Sequence, residues 1–347
     1  MSLSTNQNHL GVWFLAIKTG TGTDVFTLQL CSALNARGIR AEITWLPHHA
    51  EYFPWMVKIP QKPAWANIVH LNTWTHDRFV PKSIPIVATM HLCVHDLALR
   101  PYKSLIQHLY HQYWIRPTEK SLLLRADKTI AVSHYTACRT QEFFQTKEIQ
   151  VIPNGIPISP SPAIKAHDPH QPFRLLYVGN WSKRKGVDLL PGIMQMLGSD
   201  FELYYTEDAH GLHKKINLPS NCKCVGRLNQ EQLQQAYINA HALIFPSRLE
   251  GLPLTVMEAM VNSLPVVAAH ASSLPELVTN GVTGILFPQD DINSAVVAIR
   301  KLALYPDFCK TLGENSRKTI ASSFSLNTMT DAYEKIYRDI RSEHLQS

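Results

Sequence analysis

The chain has 347 residues, 45% of them hydrophobic and 17% charged, with 33 basic against 27 acidic residues and a formal net charge of +6. At about 150 residues per domain this length fits two domains, and the composition excludes an intrinsically disordered chain. The mild basic excess suits an anionic partner such as a nucleotide diphosphate or an acidic membrane surface; without a basic run it argues against nucleic acid.

Short apolar runs alternate with helical patterns along the whole chain. Strands are predicted at 12–17, 41–46, 67–71, 85–90, 128–132 and 149–152, with a helix over 23–37 after the first. Between the fourth and fifth runs, Tyr102, Leu105, Ile106, Leu109, Tyr110, Tyr113 and Trp114 recur at helical spacing, while Lys103, Gln107, His108, His111 and Arg116 take the other face. This predicts an amphipathic helix over 102–116, its stripe either packed on the core or resting on a membrane interface. Residues 153–172 hold six prolines together with Gly155, Ser159 and Ser161, which cannot continue a helix or a central strand. Beyond them, strands are predicted at 173–178, 201–205, 223–225, 242–245, 265–269 and 284–287, and helices at 230–239, 292–304, 307–322 and 327–340.

The alternation describes an α/β protein with two Rossmann-like parallel sheets and helices on both faces. The expected boundaries are a first domain over 1–158, a linker over 159–172, a second domain over 173–326 and a C-terminal helix over 327–347 that crosses back to the first domain. Ligands of such sheets gather at the carboxyl ends of the strands, so two facing sheets would enclose a cleft. The six cysteines are scattered and carry no zinc spacing. The polar start MSLSTNQNHL lacks a signal-peptide core, and no run reaches the roughly 18 apolar residues of a membrane span. A cytoplasmic protein with reduced thiols is expected, touching a membrane at most from the inside.

The segment F-P-S-R-L-E-G-L-P-L-T-V-M-E-A-M, 245–260, follows a buried strand and opens a helix. Pro253 suits the first helical turn, and the amides of Leu254 and Thr255 then stand free at a positive helix end, a seat for a diphosphate. Glu250 precedes that seat, and Glu258 lies one to two turns inside it. Three other loops end predicted strands. One is Y-V-G-N-W-S-K-R-K-G-V-D at 177–188; another is C-V-G-R-L-N at 224–229; the third is K-T-G-T-G-T-D at 18–24, where Gly20 and Gly22 allow close backbone approach and Asp24 supports the helix start. His91 closes V-A-T-M-H at 87–91, with His95 as its rival.

These strings, followed by S-L-P-V-V-A and N-G-V-T-G-I-L-F, resemble the signature of glycosyltransferase family 4, whose members have the GT-B fold. The resemblance implies a retaining, metal-independent hexosyltransferase that uses a UDP- or GDP-sugar and needs no cofactor. It implies that Glu258 holds the ribose hydroxyls, that Glu250 meets donor-sugar hydroxyls near the reacting carbon, and that Leu254 and Thr255 give amides to phosphate. Lys185 would neutralise the diphosphate, Arg227 lies in the loop near the base, His91 approaches the donor sugar, and the loop of Gly20 and Gly22 lies against donor phosphate and sugar. Asn180 stands where the family has arginine, so either Lys183 or Arg184 supplies that charge or phosphate binding is weaker. No Asp-x-Asp motif is present for a magnesium bridge, and no enzyme nucleophile stands out, so same-face attack by the acceptor hydroxyl is the favoured mechanism. The implied acceptor is a glycan or lipid-linked glycan of a bacterial surface polymer such as lipopolysaccharide, O-antigen or capsule, with peripheral contact to the inner membrane. The departure at Asn180 leaves two other classes open: a nucleotide-sugar-binding scaffold and a GT-B epimerase.

Overall fold

The computed structural model describes residues 9–146, 149–159, 168, 170–207 and 216–346; residues 160–167 and 169 of the expected linker lie outside the described residues. The chain divides into two compact units, Met1–Pro157 with Leu326–Ser347, and Ile158–Ser325.

In the first unit the strands are β1 (Gly11–Ile17), β2 (Arg40–Leu46), β3 (Ile68–Asn72), β4 (Ile86–Met90), β5 (Lys128–Ala131) and β6 (Gln150–Val151). They form one parallel sheet in the order β2-β1-β3-β4-β5-β6. Every residue of β1, β3 and β4 is buried; strands covered on both faces need continuous apolar sequence, hence the runs without alternation. One face carries α1 (Gly22–Ala36) and α11 (Leu326–Gln346), which pack Phe26, Leu30 and Leu34 with Met329, Tyr333, Tyr337 and Ile340. A buried polar chain pins α11 to the sheet. His70 shares hydrogen bonds with Tyr337 Oη at 2.6 Å through Nδ1 and with Thr89 Oγ1 at 2.8 Å through Nε2, and Tyr333 Oη lies 3.1 Å from the same Thr89 hydroxyl. Burial pushes the His70 imidazole down to about 3, so the network is neutral. Arg37 pairs with Asp331 at 2.6 Å and Glu334 at 3.3 Å.

The amphipathic segment departs from expectation in extent, and of the two expected settings for its stripe the core is the one it does not take. Residues Leu97–Tyr102 form a 3₁₀ turn, and Ser104 and Gln107 make a reciprocal capping box that starts α2 (Leu105–Tyr110). A π turn, His111–Ile115, joins α2 to α3 (Arg116–Arg125). Pro117 explains the π turn, because it has no N–H to give to the carbonyl four residues back. Leu105, Ile106, Leu109 and Tyr113 are exposed, so the stripe does not pack on the core. Tyr110 and Trp114 turn sideways instead and donate to Glu51 Oε1 at 2.7 Å and to its carbonyl at 2.8 Å. Two further helices complete the order: α4 (His134–Phe144) in this unit, and α5 (Leu190–Leu197) in the second.

The second unit repeats the architecture. Its strands are β7 (Phe173–Tyr177), β8 (Phe201–Tyr205), β9 (Cys222–Cys224), β10 (Ala242–Phe245), β11 (Val266–His270) and β12 (Gly284–Pro288), parallel in the order β12-β11-β10-β7-β8-β9. The helices α6 (Gln230–Asn239), α7 (Leu254–Val261), α8 (Leu274–Leu277), α9 (Ile292–Leu304) and α10 (Pro306–Ser323) complete it. One large cluster on the sheet, with Phe173, Tyr177, Trp181, Leu190, Ile244, Phe287 and Ile299, forms its core.

Candidate functional site

The second unit gathers a charged site where β7 and β10 end. After β7 the chain turns at Gly179, whose N–H donates to Thr206 Oγ1 at 3.3 Å, and exposes Asn180. Trp181 is buried against Tyr177 and Tyr205 and donates its indole N–H to the Thr206 carbonyl at 3.0 Å, which anchors the loop to the sheet. Lys183, Arg184 and Lys185 form a 3₁₀ turn that ends at Gly186, with φ of 70°. A Cβ on Gly186 would lie 2.0 Å from the Pro246 carbonyl oxygen. Glycine therefore lets the basic loop lie directly against the backbone leaving β10.

That contact brings Lys185 to Glu250. Lys185 Nζ lies 2.6 Å from Glu250 Oε1, and Arg184 Nη1 lies 3.4 Å from the same oxygen. Ser247 Oγ donates to it at 2.5 Å. From the next loop, Ser272 Oγ accepts from the Glu250 amide at 2.9 Å and Ser273 Oγ donates to the Glu250 carbonyl at 3.2 Å. Glu250 is 7% exposed. Burial alone would raise its carboxyl, but the Lys185 ammonium and Arg184 guanidinium outweigh it and hold the carboxyl below its usual range. Burial lowers the Lys185 ammonium and Glu250 raises it only in part. The centre is a buried carboxylate, Glu250, bridged by two partly buried basic side chains, Lys185 and Arg184.

Arg184 is the cation that joins Lys185 at this carboxylate, and it also donates to the Leu249 carbonyl at 2.5 Å. Lys183 contributes a backbone carbonyl instead, which accepts from Arg248 Nη1. Arg248 was not singled out in the sequence, yet it fastens the site: it bonds Asp188 through both terminal nitrogens at 2.7 and 2.9 Å and Asp290 through Nε at 2.5 Å. The pattern S-R-L-E-G was the available signal, since an arginine drawn into a buried turn two residues before a buried acid needs its own carboxylates. Arg248→Met is expected to destabilise this unit by about 2 kcal/mol, below the cost of a broken fully buried pair because both aspartates are half-exposed and regain water. Thermal unfolding checks this, and an unchanged midpoint would contradict it.

The helix α7 begins one residue later than expected. Pro253 is its N-cap and Leu254 its first helical residue, with no side-chain cap. The reason is that Pro253 has ψ of 119°, outside the helical region, so it closes the turn after Glu250 instead of opening the helix. Leu254 and Thr255 therefore occupy the first turn, as a phosphate seat requires. One turn on, Glu258 Oε2 accepts from Tyr237 Oη at 2.8 Å. Burial raises the Glu258 carboxyl, and the tyrosine only partly offsets it. Tyr237 was missed in the sequence because it sits on α6, and only the fold brings it to Glu258. Arg227 is exposed in the loop after β9.

The remaining residues lie in the first unit. Asp24 folds the glycine loop: its carboxylate accepts from the amides of Thr19 at 3.1 Å and Gly20 at 2.7 Å, and from Thr19 Oγ1 at 2.9 Å. Gly20 has φ of 71°, and Gly22 is the first residue of α1. His91 follows β4, with Nε2 donating to Asn72 Oδ1 at 3.2 Å; burial pushes its imidazole down to about 3, so it is neutral. Asn72 Nδ2 is buried without a hydrogen-bond partner among the described residues. His95 is spent in a buried pair with Glu119 at 2.9 Å.

Two family models cover most of the chain: "Glycosyl transferases group 1" matches residues 163–319, and "Glycosyltransferase Family 4" matches residues 43–159. The chain belongs to the family 4 glycosyltransferases. Among its family relatives, an uncharacterized 41.2 kDa protein in the cps region of Klebsiella pneumoniae is 25% identical over 63% of this chain and 63% of that protein. The amylovoran biosynthesis glycosyltransferase AmsK of Erwinia amylovora is 30% identical over 39% of this chain and 37% of its own. The chain thus spans less than two thirds of the length of these curated relatives. The fold is GT-B: sucrose-phosphate synthase from Thermosynechococcus elongatus superposes with a TM-score of 0.79 at 19% identity, covering 96% of this chain and all of that one. Anabaena HepE in complex with UDP and glucose superposes with a TM-score of 0.71 at 17% identity, covering 95% and 100%.

Proposed function

We propose that this family 4 member transfers a sugar, with retention, from a nucleotide-sugar donor to an acceptor hydroxyl of a glycan or lipid-linked glycan in surface-polysaccharide assembly. The observation that carries the reading is the pairing of Lys185 and Arg184 with the buried carboxylate of Glu250, which stands four residues before the uncapped start of α7. Two cations and a helix N-terminus are fixed donors for the negative charge that develops on a departing diphosphate. Glu250 then binds hydroxyls of the donor sugar, and Glu258, held by Tyr237, binds the ribose. His91, neutral with Nε2 committed to Asn72, offers Nδ1 as an acceptor for a sugar hydroxyl. The cations make a metal bridge unnecessary, in keeping with the missing Asp-x-Asp motif. A UDP-sugar is the preferred donor, supported by UDP in the similarly folded HepE structure. Amylovoran synthesis by AmsK supports the polymer class.

The test begins with a thermal-shift screen of UDP, GDP, ADP and their sugars, since a ligand of the folded state raises stability as ln(1 + [L]/Kd). The donor that binds is then incubated with and without candidate acceptors while free nucleotide is measured. Acceptor-dependent release is expected. Binding without release would favour a scaffold, and sugar isomerisation without acceptor an epimerase.

A further inference from the structure

The outward stripe on α2 has no packing role in its own unit. Leu105 is 74% exposed, Ile106 79% and Tyr113 74%, and Leu97 in the preceding turn is 79%. The stripe continues across Trp114, whose ring lies 5.7 Å from that of Trp55, to the exposed Trp55 and Met56. Isolated exposed apolar residues are ordinary, but an aromatic and aliphatic surface of this continuity marks a binding face.

Charge selects what covers it. From Leu97 to Arg125 the chain carries Arg100, Lys103, Arg116, Lys120 and Arg125 against one acid, Glu119. Glu119 is 1% exposed and bonded to His95 and Thr73, so it does not face outward. Lys58 and Lys62 flank the Trp55 side, where no acid lies between Tyr52 and Ala66. Beside the stripe, with Leu97 in its lining, is an open cavity of about 100 Å³ whose basic side is Arg100, Lys103, His108 and His111. Asp96 also lines it, but its carboxylate accepts from the Ala98 amide at 2.8 Å and from Tyr135 Oη at 2.5 Å. Lys103 gives one N–H to the Val94 carbonyl and keeps two, and His111 Nδ1 is buried without a hydrogen-bond partner among the described residues. The cavity therefore offers two cationic donors, Arg100 and Lys103, and one acid whose oxygens are already engaged; burial lowers the His111 imidazole to about 4, so it faces the cavity as a neutral ring.

We propose that this face docks on an anionic bilayer, with Leu97, Leu105, Ile106, Leu109 and Tyr113 in the headgroup region and a lipid phosphate seated in the cavity against Arg100, Lys103 and His111. Exposed apolar area with basic charge beside it supplies the two components of interfacial binding. The inference is independent of the transfer chemistry, because none of these residues belongs to the donor site.

The experiment is co-sedimentation of the full chain with vesicles of phosphatidylcholine alone and of equimolar phosphatidylcholine and phosphatidylglycerol. Pelleting with the anionic vesicles is expected, weakening as salt rises. The double variant Leu105→Ser/Ile106→Ser should lower vesicle affinity at least about tenfold, and Arg100→Glu by roughly tenfold or more. These side chains are exposed, and an unchanged melting temperature confirms that the variants fold. Absence of pelleting with anionic vesicles, or variants that pellet like the parent, overturns the proposal. A melting-temperature rise with inorganic phosphate, without vesicle binding, also overturns it and makes the cavity a soluble-anion site.

Discussion

Glu250→Ala is expected to lower kcat/KM for sugar transfer by about 10²–10³-fold, the range for removing one pre-positioned group from a charged transition state. The loss is large because Glu250 orders its surroundings as well as meeting the donor sugar in the reaction we propose. Lys185 and Arg184 share its Oε1, and two serines of the following loop fix its backbone. Without the carboxylate, Lys185 is a buried ammonium with its nearest counter-charge removed, and its pKa falls further. Glu250→Gln separates the contributions. It keeps the volume and an acceptor for Ser247 but loses the charge, so its defect should be close to that of alanine if charge dominates. Steady-state transfer rates and circular dichroism of both variants check this; near-parental turnover in a folded variant would remove Glu250 from the reaction.

A second large effect is expected at Gly186. Alanine there meets both a left-handed φ of 70° and a carbonyl oxygen 2.0 Å from its Cβ. The conformational strain costs about 1 kcal/mol, and the clash must be relieved by moving the loop of Lys183–Lys185 away from β10. We expect a total loss of about 3–4 kcal/mol, the range of the severest single substitutions, together with loss of donor binding because Lys185 moves with the loop. Thermal unfolding and nucleotide thermal shift report the two effects separately. A variant with parental stability would mean that the loop does not rest on Pro246 as described.

Much of this was legible in the sequence. The apolar runs locate each strand of both sheets to within one residue at either end, because buried parallel strands leave an uninterrupted signature. The motif around Glu250 located a charged loop and a helix start, since local backbone chemistry ties proline and glycine to such turns. What the sequence hid is long-range. Nothing near residue 248 says that Asp188 and Asp290 will meet there, and nothing near Glu258 points to Tyr237 on another helix. Asn180 suggested a missing charge, but only the turn at Gly186 decides that Arg184, not Lys183, reaches the carboxylate. The stripe on α2 shows a different gap. Periodicity tells which residues share a face and is silent about what that face meets, and Pro117 was a readable cause of the π turn that the pattern alone passed over.

The helix α11 bears on how the chain is made. Its Tyr333, Ile336, Tyr337 and Ile340 complete the core built by β1, β3, β4 and α1, and one of the two hydrogen-bond partners of His70 lies 267 positions away. The unit whose strands leave the ribosome first is therefore the unit completed last. The second unit, Ile158–Ser325, is continuous in sequence and holds all its sheet partners before α11 exists. During synthesis the early sheet must wait with one apolar face only partly covered, by α1, while the later sheet closes. This order inverts the usual N-terminal-first folding of multidomain chains and makes the early sheet a natural client for a chaperone until α11 arrives.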